Sequence, residues 1–508
     1  MTTNCWTPFS LAIVTLLALF AAPGLARTVQ DPAQTPAQTP AAVPATEQTA
    51  EEAKADAELN QIFVTAMADL VPGELKSGSP LETALKNSVD SFRRKQFGDA
   101  HKFLKTYKEA NPKFPPADLI LAGLYFSATR IDEGFLLLES AAKSEPDYPG
   151  TYLAFGRMAL NQRRFTDSRA LLEKAKRKIE QGSFDEIEKK HFQSQLYETI
   201  TLVSLRQGRN EDAKKMAKVF ADLEGTTVKS LTVGAEVSFR NKDLPKCIQQ
   251  LEQLKTLNKA TRIPELIVAT WYGQLNEVKN ASKWIEIASK KYPDDMKVQM
   301  EYATFLVSSE KFELAAPLIE RIETSEKETS STTSLKAKIA FAQRDYGTAE
   351  VEYRKLYDKN PTNFDVANMY AMSLIESPFK EKKEVAKKLT VRNFKAVPDN
   401  QVAQSALGWV YYRTGELRGA KQLFARAAQS TQMPPEVAYF LSKFLAEAED
   451  FERAEKLLSE ALEHEGLYLY RASAAELLRE VQAKIQEETG TAKAAEKENE
   501  GTLPNPGK

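Results

Sequence analysis

Cysteine, histidine and glycine-rich loops are scarce in this chain, and each scarcity removes a class of chemistry. Only Cys5 and Cys247 occur in 508 residues. Cys5 falls in the apolar N-terminal stretch, so a chain trimmed there keeps one thiol and forms no intrachain disulfide. The three histidines, His101, His191 and His464, have no partner at metal-ligand or triad spacing. His464–Glu465 is followed by Gly466 and Leu467, so there is no H-E-x-x-H motif. Each histidine is expected to face solvent from a helix. No glycine-rich phosphate loop is present. Neither charge dominates: 69 basic residues stand against 70 acidic ones, which argues against a nucleic-acid surface. Paired carboxylates such as Asp294–Asp295 follow Pro293 and suit the start of a helix, where they offset the dipole. No residue is expected to be catalytic, to hold a cofactor or to bind a metal.

What the chain has instead is a period. Small residues recur at Ala100, Gly134, Ser168, Ala213, Cys247, Ala281, Ala315, Ala349, Ala386, Ala420 and Ala454. The steps between them are 34, 34, 45, 34, 34, 34, 34, 37, 34 and 34 residues. Three residues before each anchor the chain is mostly apolar, as at Phe97, Ile131, Phe165, Val278 and Leu417, with Asn210 and Lys383 as exceptions. Apolar residues also dominate four and seven residues after the anchors, as at Leu104, Leu138 and Leu172, then Ala141, Phe220 and Leu254. These offsets lie on one face of a helix. A second helix precedes each anchor, seen most clearly at Leu153–Phe155–Gly156–Ala159 and Leu407–Gly408–Tyr411, with turn residues such as Gln207–Gly208–Arg209 and Thr414–Gly415–Glu416 between the two. Pro112, Pro146, Pro293, Pro361 and Pro398 fall twelve residues after their anchors and mark where the second helix ends. Antiparallel helices approach closely only where one presents little side chain, and a bulky anchor overpacks the crossing by roughly 1–3 kcal/mol. Cys247, at an anchor, therefore reads as a small buried side chain and not a reactive thiol.

The pattern predicts an all-α solenoid of about eleven helix-turn-helix units. It resembles the tetratricopeptide repeat family, whose 34-residue signature is matched best by Leu407–Gly408, Tyr411, Ala420, Phe424 and the preceding Pro398. The resemblance spans roughly residues 80–465, although no copy has Trp at the signature's first position. It implies a right-handed superhelix with the first helix of each unit lining a concave face that binds peptides or proteins. The matching positions lie 15, 11, 8 and 7 residues before each anchor. They place Trp409, Tyr412, Arg413, Tyr439 and Lys443 in the groove near the C-terminus, and Arg157, Asn161, Glu198, Arg206, Glu236 and Arg240 in the N-terminal half. The aromatic and arginine side chains of the first group form the expected hot spot. The family's Lys/Asn/Arg clamp for a terminal carboxylate is not found, which disfavours a cytosolic co-chaperone. Three irregularities are expected. The eleven extra residues between Ser168 and Ala213 lengthen two helices and their loop, Pro317 kinks or delays the seventh second helix, and the ninth copy (Lys383, Thr390, Asn393) is weak.

Residues 1–26 read as an export signal, with apolar Phe9–Ala22 and a cut before Arg27. The absence of Lys or Arg before this stretch is a departure, and an uncleaved inner-membrane anchor is the alternative. Residues 27–55 read as a disordered Pro/Ala/Thr/Gln-rich linker, 56–79 as an N-terminal capping helix, 80–466 as the solenoid, 467–489 as a C-terminal capping helix and 490–508 as a disordered polar tail. These segments leave no stretch of about 100 residues for a catalytic domain. The expectation is a periplasmic or secreted non-enzymatic scaffold that binds a protein or peptide, without nucleic acid, and touching membrane only through an uncleaved anchor. An accessory subunit or enzyme acting on an envelope polymer such as a glycan, and a structural spacer, stay open beside it. Oligomeric state is not legible.

Overall fold

The computed structural model describes residues 50–326, 328–429 and 433–500, so the expected signal, most of the linker and the last eight residues lie outside the described residues. Among the described residues there are twenty-four helices and no strand. The helix Ala50–Ala68 comes first and Arg471–Glu500 last, with eleven hairpins between them. The first hairpin pairs Pro80–Arg93 with Phe97–Ala110, and the eleventh pairs Pro435–Glu447 with Phe451–Leu462. The fold is an all-α solenoid of helix hairpins, divided into two compact units at Val268 and Ala269.

Small meets small at each crossing. Ten of the eleven anchors are buried, and Ala281 in the sixth hairpin is half-buried. Twelve residues before the anchors, the first helices carry Ser88, Ala122, Gly156, Thr201, Ala235, Ala269, Ala303, Ala337, Gly408 and Ser442, all buried. In the ninth hairpin Ala371, fifteen before its anchor, takes that place. A Cβ built on Gly134 would stand 2.5 Å from the Phe126 ring, and one on Gly156 would stand 2.9 Å from Leu172. At this spacing Ser168 Oγ donates to the Gly156 carbonyl at 2.6 Å, and Ser88 Oγ to the Ala100 carbonyl at 2.9 Å. Cys247 is fully buried, and burial pushes its thiol up to about 12.

The turns repeat as faithfully as the helices. Ten of the eleven second helices begin three residues before the anchor, after a three-residue turn. The middle residue of each such turn is left-handed. Two are Gly208 and Gly415, and the other eight are Lys95, Thr129, Arg163, Lys242, Asn276, Glu310, Arg344 and Glu449, with φ between 57° and 63°. The next N–H returns to the carbonyl five residues back, as in Gln96 to Ser91 and Asp345 to Ala340, which closes the first helix with a Schellman motif. The residue donating that bond is also the N-cap of the second helix, so three residues stop one helix and start the next. Only the ninth turn differs. Pro378 stands in it, and Lys380–Ala396 begins six residues before Ala386, so the three extra residues go into one added helical turn.

Several expectations need correction. The apolar residues three before the anchors reach at most the margin of the core, where Phe97, Phe165, Phe312, Tyr346 and Phe451 pack partly buried. They open the second helix, where side chains lean back over the turn, and Ile131, Val278 and Leu417 are exposed. The extra residues after Ser168 enter the helices Phe165–Gln181 and Glu186–Arg206, 17 and 21 residues long, but not their loop, which Asp185 and Glu188 close as a capping box. The helix holding Pro317 starts at Phe312, in register with the others, because a proline there forgoes only one ladder bond. Helix begins at Ala50, inside the expected 27–55 linker, and runs to Glu500, inside the expected 490–508 tail. Both stretches are rich in Ala, Glu and Lys, which favour helix without help from packing.

Left-handed backbone costs an L-residue about 1–2 kcal/mol, most for a β-branched side chain. Thr129→Gly is therefore expected to raise stability by about 1 kcal/mol, and Gly208→Val to lower it by about 1–2 kcal/mol. Chemical denaturation of the two variants against the unaltered chain measures both.

Candidate functional site

In the C-terminal unit the structure gathers most of the expected hot spot. Trp409 is 3% exposed. Its ring stacks on Phe440 and Tyr412 with centres 4.7 and 5.2 Å away, and meets Tyr439 at 5.7 Å. Its indole Nε1 donates to Glu376 at 3.1 Å, and Arg413 pairs with the same carboxylate. Tyr412 donates to Glu447, and Lys443 is half-buried. Tyr439 is buried, which pushes its phenol up to about 12. A buried ring of this size contributes about 3–5 kcal/mol of packing, so Trp409 serves the core of this unit. The surface is also covered. Tyr470, from the connector ahead of the last helix, stacks on Tyr439 at 5.2 Å and meets Phe440 edge-on at 4.9 Å.

The N-terminal unit carries a row of charges on successive first helices. Arg157 pairs with Glu198 at 2.6 Å and Arg206 with Glu236 at 2.5 Å. Each pair bridges one hairpin to the next. Glu236 is 8% exposed, and Arg240 lies near both members of the second pair. The Nε of Arg240 is buried and meets no hydrogen-bond partner, and burial pulls its pKa below the usual guanidinium value against the pull of Glu236. Asn161 is exposed. The segment after Ala50–Ala68 lies against the same helices. The Asp69 carbonyl accepts from Gln195 Nε2 at 2.8 Å, its carboxylate stands 3.7 Å from Lys229, and Leu70 packs at Gly123. This segment reaches the fourth and fifth hairpins through Gln195 and Lys229.

Two of the three histidines are not solvent-facing. His101 Nε2 lies 2.6 Å from Asp118 and holds that carboxyl below its usual range. His191 sits within 3.0 Å of Gln195, under the N-terminal segment, and burial pulls it down to about 4. Only His464 is exposed. Asp295 caps the helix Met296–Ser308 as expected, accepting from the Lys297 and Val298 N–H groups. Among the described residues no group of three or more His, Cys, Asp or Glu side chains could hold a metal ion. No helix there is long and apolar enough to cross a membrane.

Sequence reasoning missed Glu310, Arg344, Glu376, Tyr468, Tyr470 and Arg471. Tyr468 N–H and Arg471 Nε both donate to Glu310, at 2.8 and 2.9 Å. Arg344 pairs with Glu476 at 2.8 Å. A signal was present in Leu467–Tyr468–Leu469–Tyr470, an apolar run between two helices that has to bury itself somewhere.

His191 supplies a pH test. The unfolded chain takes up its proton near 6.5 and the folded chain near 4. Stability is therefore full above pH 6.5 and is lost as pH falls toward 4. Urea unfolding is expected to show the N-terminal unit weakened by on the order of 2 kcal/mol between pH 7 and 4.5, with much of that loss absent in His191→Gln.

Residues 405–468 match the tetratricopeptide repeat family. No curated protein matches the chain by sequence. Among solved structures, the chain is similar to a tetratricopeptide repeat protein of Parabacteroides merdae at 13% identity and a TM-score of 0.39, covering 51% of this chain and 100% of that one. A thermophilic TPR protein of Thermus thermophilus is similar at 16% identity and a TM-score of 0.30, covering 36% and 98%. Yeast Tom70 is similar at 13% identity and a TM-score of 0.29, covering 80% and 97%. The family match thus falls on the tenth and eleventh hairpins, whose two-helix unit most of the other hairpins repeat at a 34-residue step.

Proposed function

We propose that this protein is an exported, non-catalytic scaffold of the cell envelope that binds a protein or peptide along the faces of its first helices. One observation carries the reading. In both units those faces already hold a further segment of chain, Asp69–Leu70 against Gln195 and Gly123 in one and Tyr468–Arg471 against Glu310, Phe341 and Tyr439 in the other. A surface that takes its own chain by carbonyl contacts, ion pairs and ring stacking has the chemistry to take another. The stretch around Arg206, Glu236 and Arg240 supplies a buried donor with no partner among the described residues, suited to a carboxylate or carbonyl of a bound peptide. The apolar Phe9–Ala22 segment supports export.

Affinity capture from the native envelope fraction tests this. The unaltered chain is expected to recover a specific partner, and Arg206→Ala with Arg240→Ala to recover at least about tenfold less, as loss of charged interface contacts predicts. Equal recovery by both would move the site elsewhere, and absence of the chain from the envelope fraction would remove the envelope role.

A further inference from the structure

The connector before the last helix reaches much further than closing the stack requires. A terminal cap needs to cover only the eleventh hairpin. Residues 466–476, the end of the connector and the first turns of the last helix, instead run back to the seventh. There Glu310 accepts from the Tyr468 N–H at 2.8 Å and from Arg471 at 2.7 Å. Arg471 also donates to the carbonyls of Leu462, His464 and Gly466, which folds its own segment into a hook. In the eighth hairpin Arg344 pairs with Glu476, and Phe341 lies 5.2 Å from the Tyr470 ring. From the eleventh come Tyr439 and Phe440.

Three features make this segment look like a seated ligand. Phe341 and Tyr439 occupy positions eight and fifteen before their anchors, among those the family resemblance gives to bound peptides. Glu310 and Arg344 hold the left-handed turn position that glycine fills more cheaply, and both use their side chains on the segment. The hydroxyls of Tyr468 and Tyr470 are buried and bond no protein group, so it is their rings that are read.

We propose that residues 466–476 occupy a peptide site of the C-terminal unit, and that the partner for this site is a peptide of the same build, two aromatic residues flanking one other and followed by arginine, which displaces the chain's own segment. The second ring enters the Phe341–Tyr439–Phe440 cluster, as Tyr470 does, and the arginine meets Glu310. This rests on the reading that first-helix faces bind peptides and names the chemistry of one such partner.

The test uses the full chain and a fluorescein-labelled peptide of residues 466–481, read by anisotropy. The unaltered chain and Tyr470→Phe keep the site filled and bind the peptide weakly. Tyr470→Ala, which empties the ring pocket, is expected to bind it at least about tenfold more tightly, and a peptide with alanine for its arginine to lose most of that gain. A folded Tyr470→Ala that binds no better than the unaltered chain overturns the proposal. Where Tyr470→Ala does not fold, Arg471→Ala decides, since it removes the hook and leaves every ring in place; no gain there overturns the proposal equally. The measurement needs no envelope partner, so its failure is distinct from failure of the capture experiment.

Discussion

The close crossing of two small side chains, one on each helix of a hairpin, is the constraint on which the rest of this structure depends. With Gly156 under Ser168, or Ala337 paired with Ala349, two helices lie near enough for a hydroxyl to reach a backbone carbonyl across the gap. That nearness brings the residues four and seven after the anchor, such as Leu138 and Ala141, into full burial. It also dictates a tight connection. A three-residue turn with a left-handed centre is short enough to join helices so close, and the chain accepts it even where the residue is Thr129 or Arg344. The strain of those turns is offset by the packing they permit.

Coupling between hairpins comes from a different source. Within each unit apolar clusters span successive hairpins, but the charged pairs on the first helices add direction. Arg157 to Glu198 and Arg206 to Glu236 tie successive units, and Arg413 to Glu376 does so near the other end. These pairs are partly buried, so losing one member leaves a charge that the others must accommodate. Arg240, beside the second pair, has a buried Nε that bonds none of the described residues. In each unit a further segment then lies across these faces, Asp69 beside His191 and Gln195 in one and Tyr470 on Tyr439 in the other.

Much of the fold was legible because helix periodicity and the small anchor both act locally. The ten second helices that begin three residues before their anchors follow directly from the 34-residue step, and the ninth absorbs its extra residues by one helical turn because a helix can gain residues only in units that keep its face. The left-handed turn residues were legible only at Gly208 and Gly415. At Lys95 or Glu449 nothing in the side chain announces the conformation, which is imposed by the distance between helix ends. The candidate site was half legible. Trp409, Tyr412, Arg413 and Tyr439, named from the groove positions, lie together, yet their periodicity does not distinguish a ring that faces an open groove from one covered by Tyr470. His191 was misplaced for the same reason: its helix is regular, and what buries it comes from residues more than a hundred positions earlier.

The amino-acid sequence alone determined the number of hairpins, the small anchor at each crossing and the burial of Cys247, because each of these follows from spacing within some forty residues of chain. Tertiary structure decided which first-helix faces stay free. The hold of Glu310 on Arg471 joins positions 161 residues apart, and that of Asp69 on Gln195 joins positions 126 apart. Such contacts are set by where stacked hairpins bring distant segments together, and no local pattern of side chains encodes that distance.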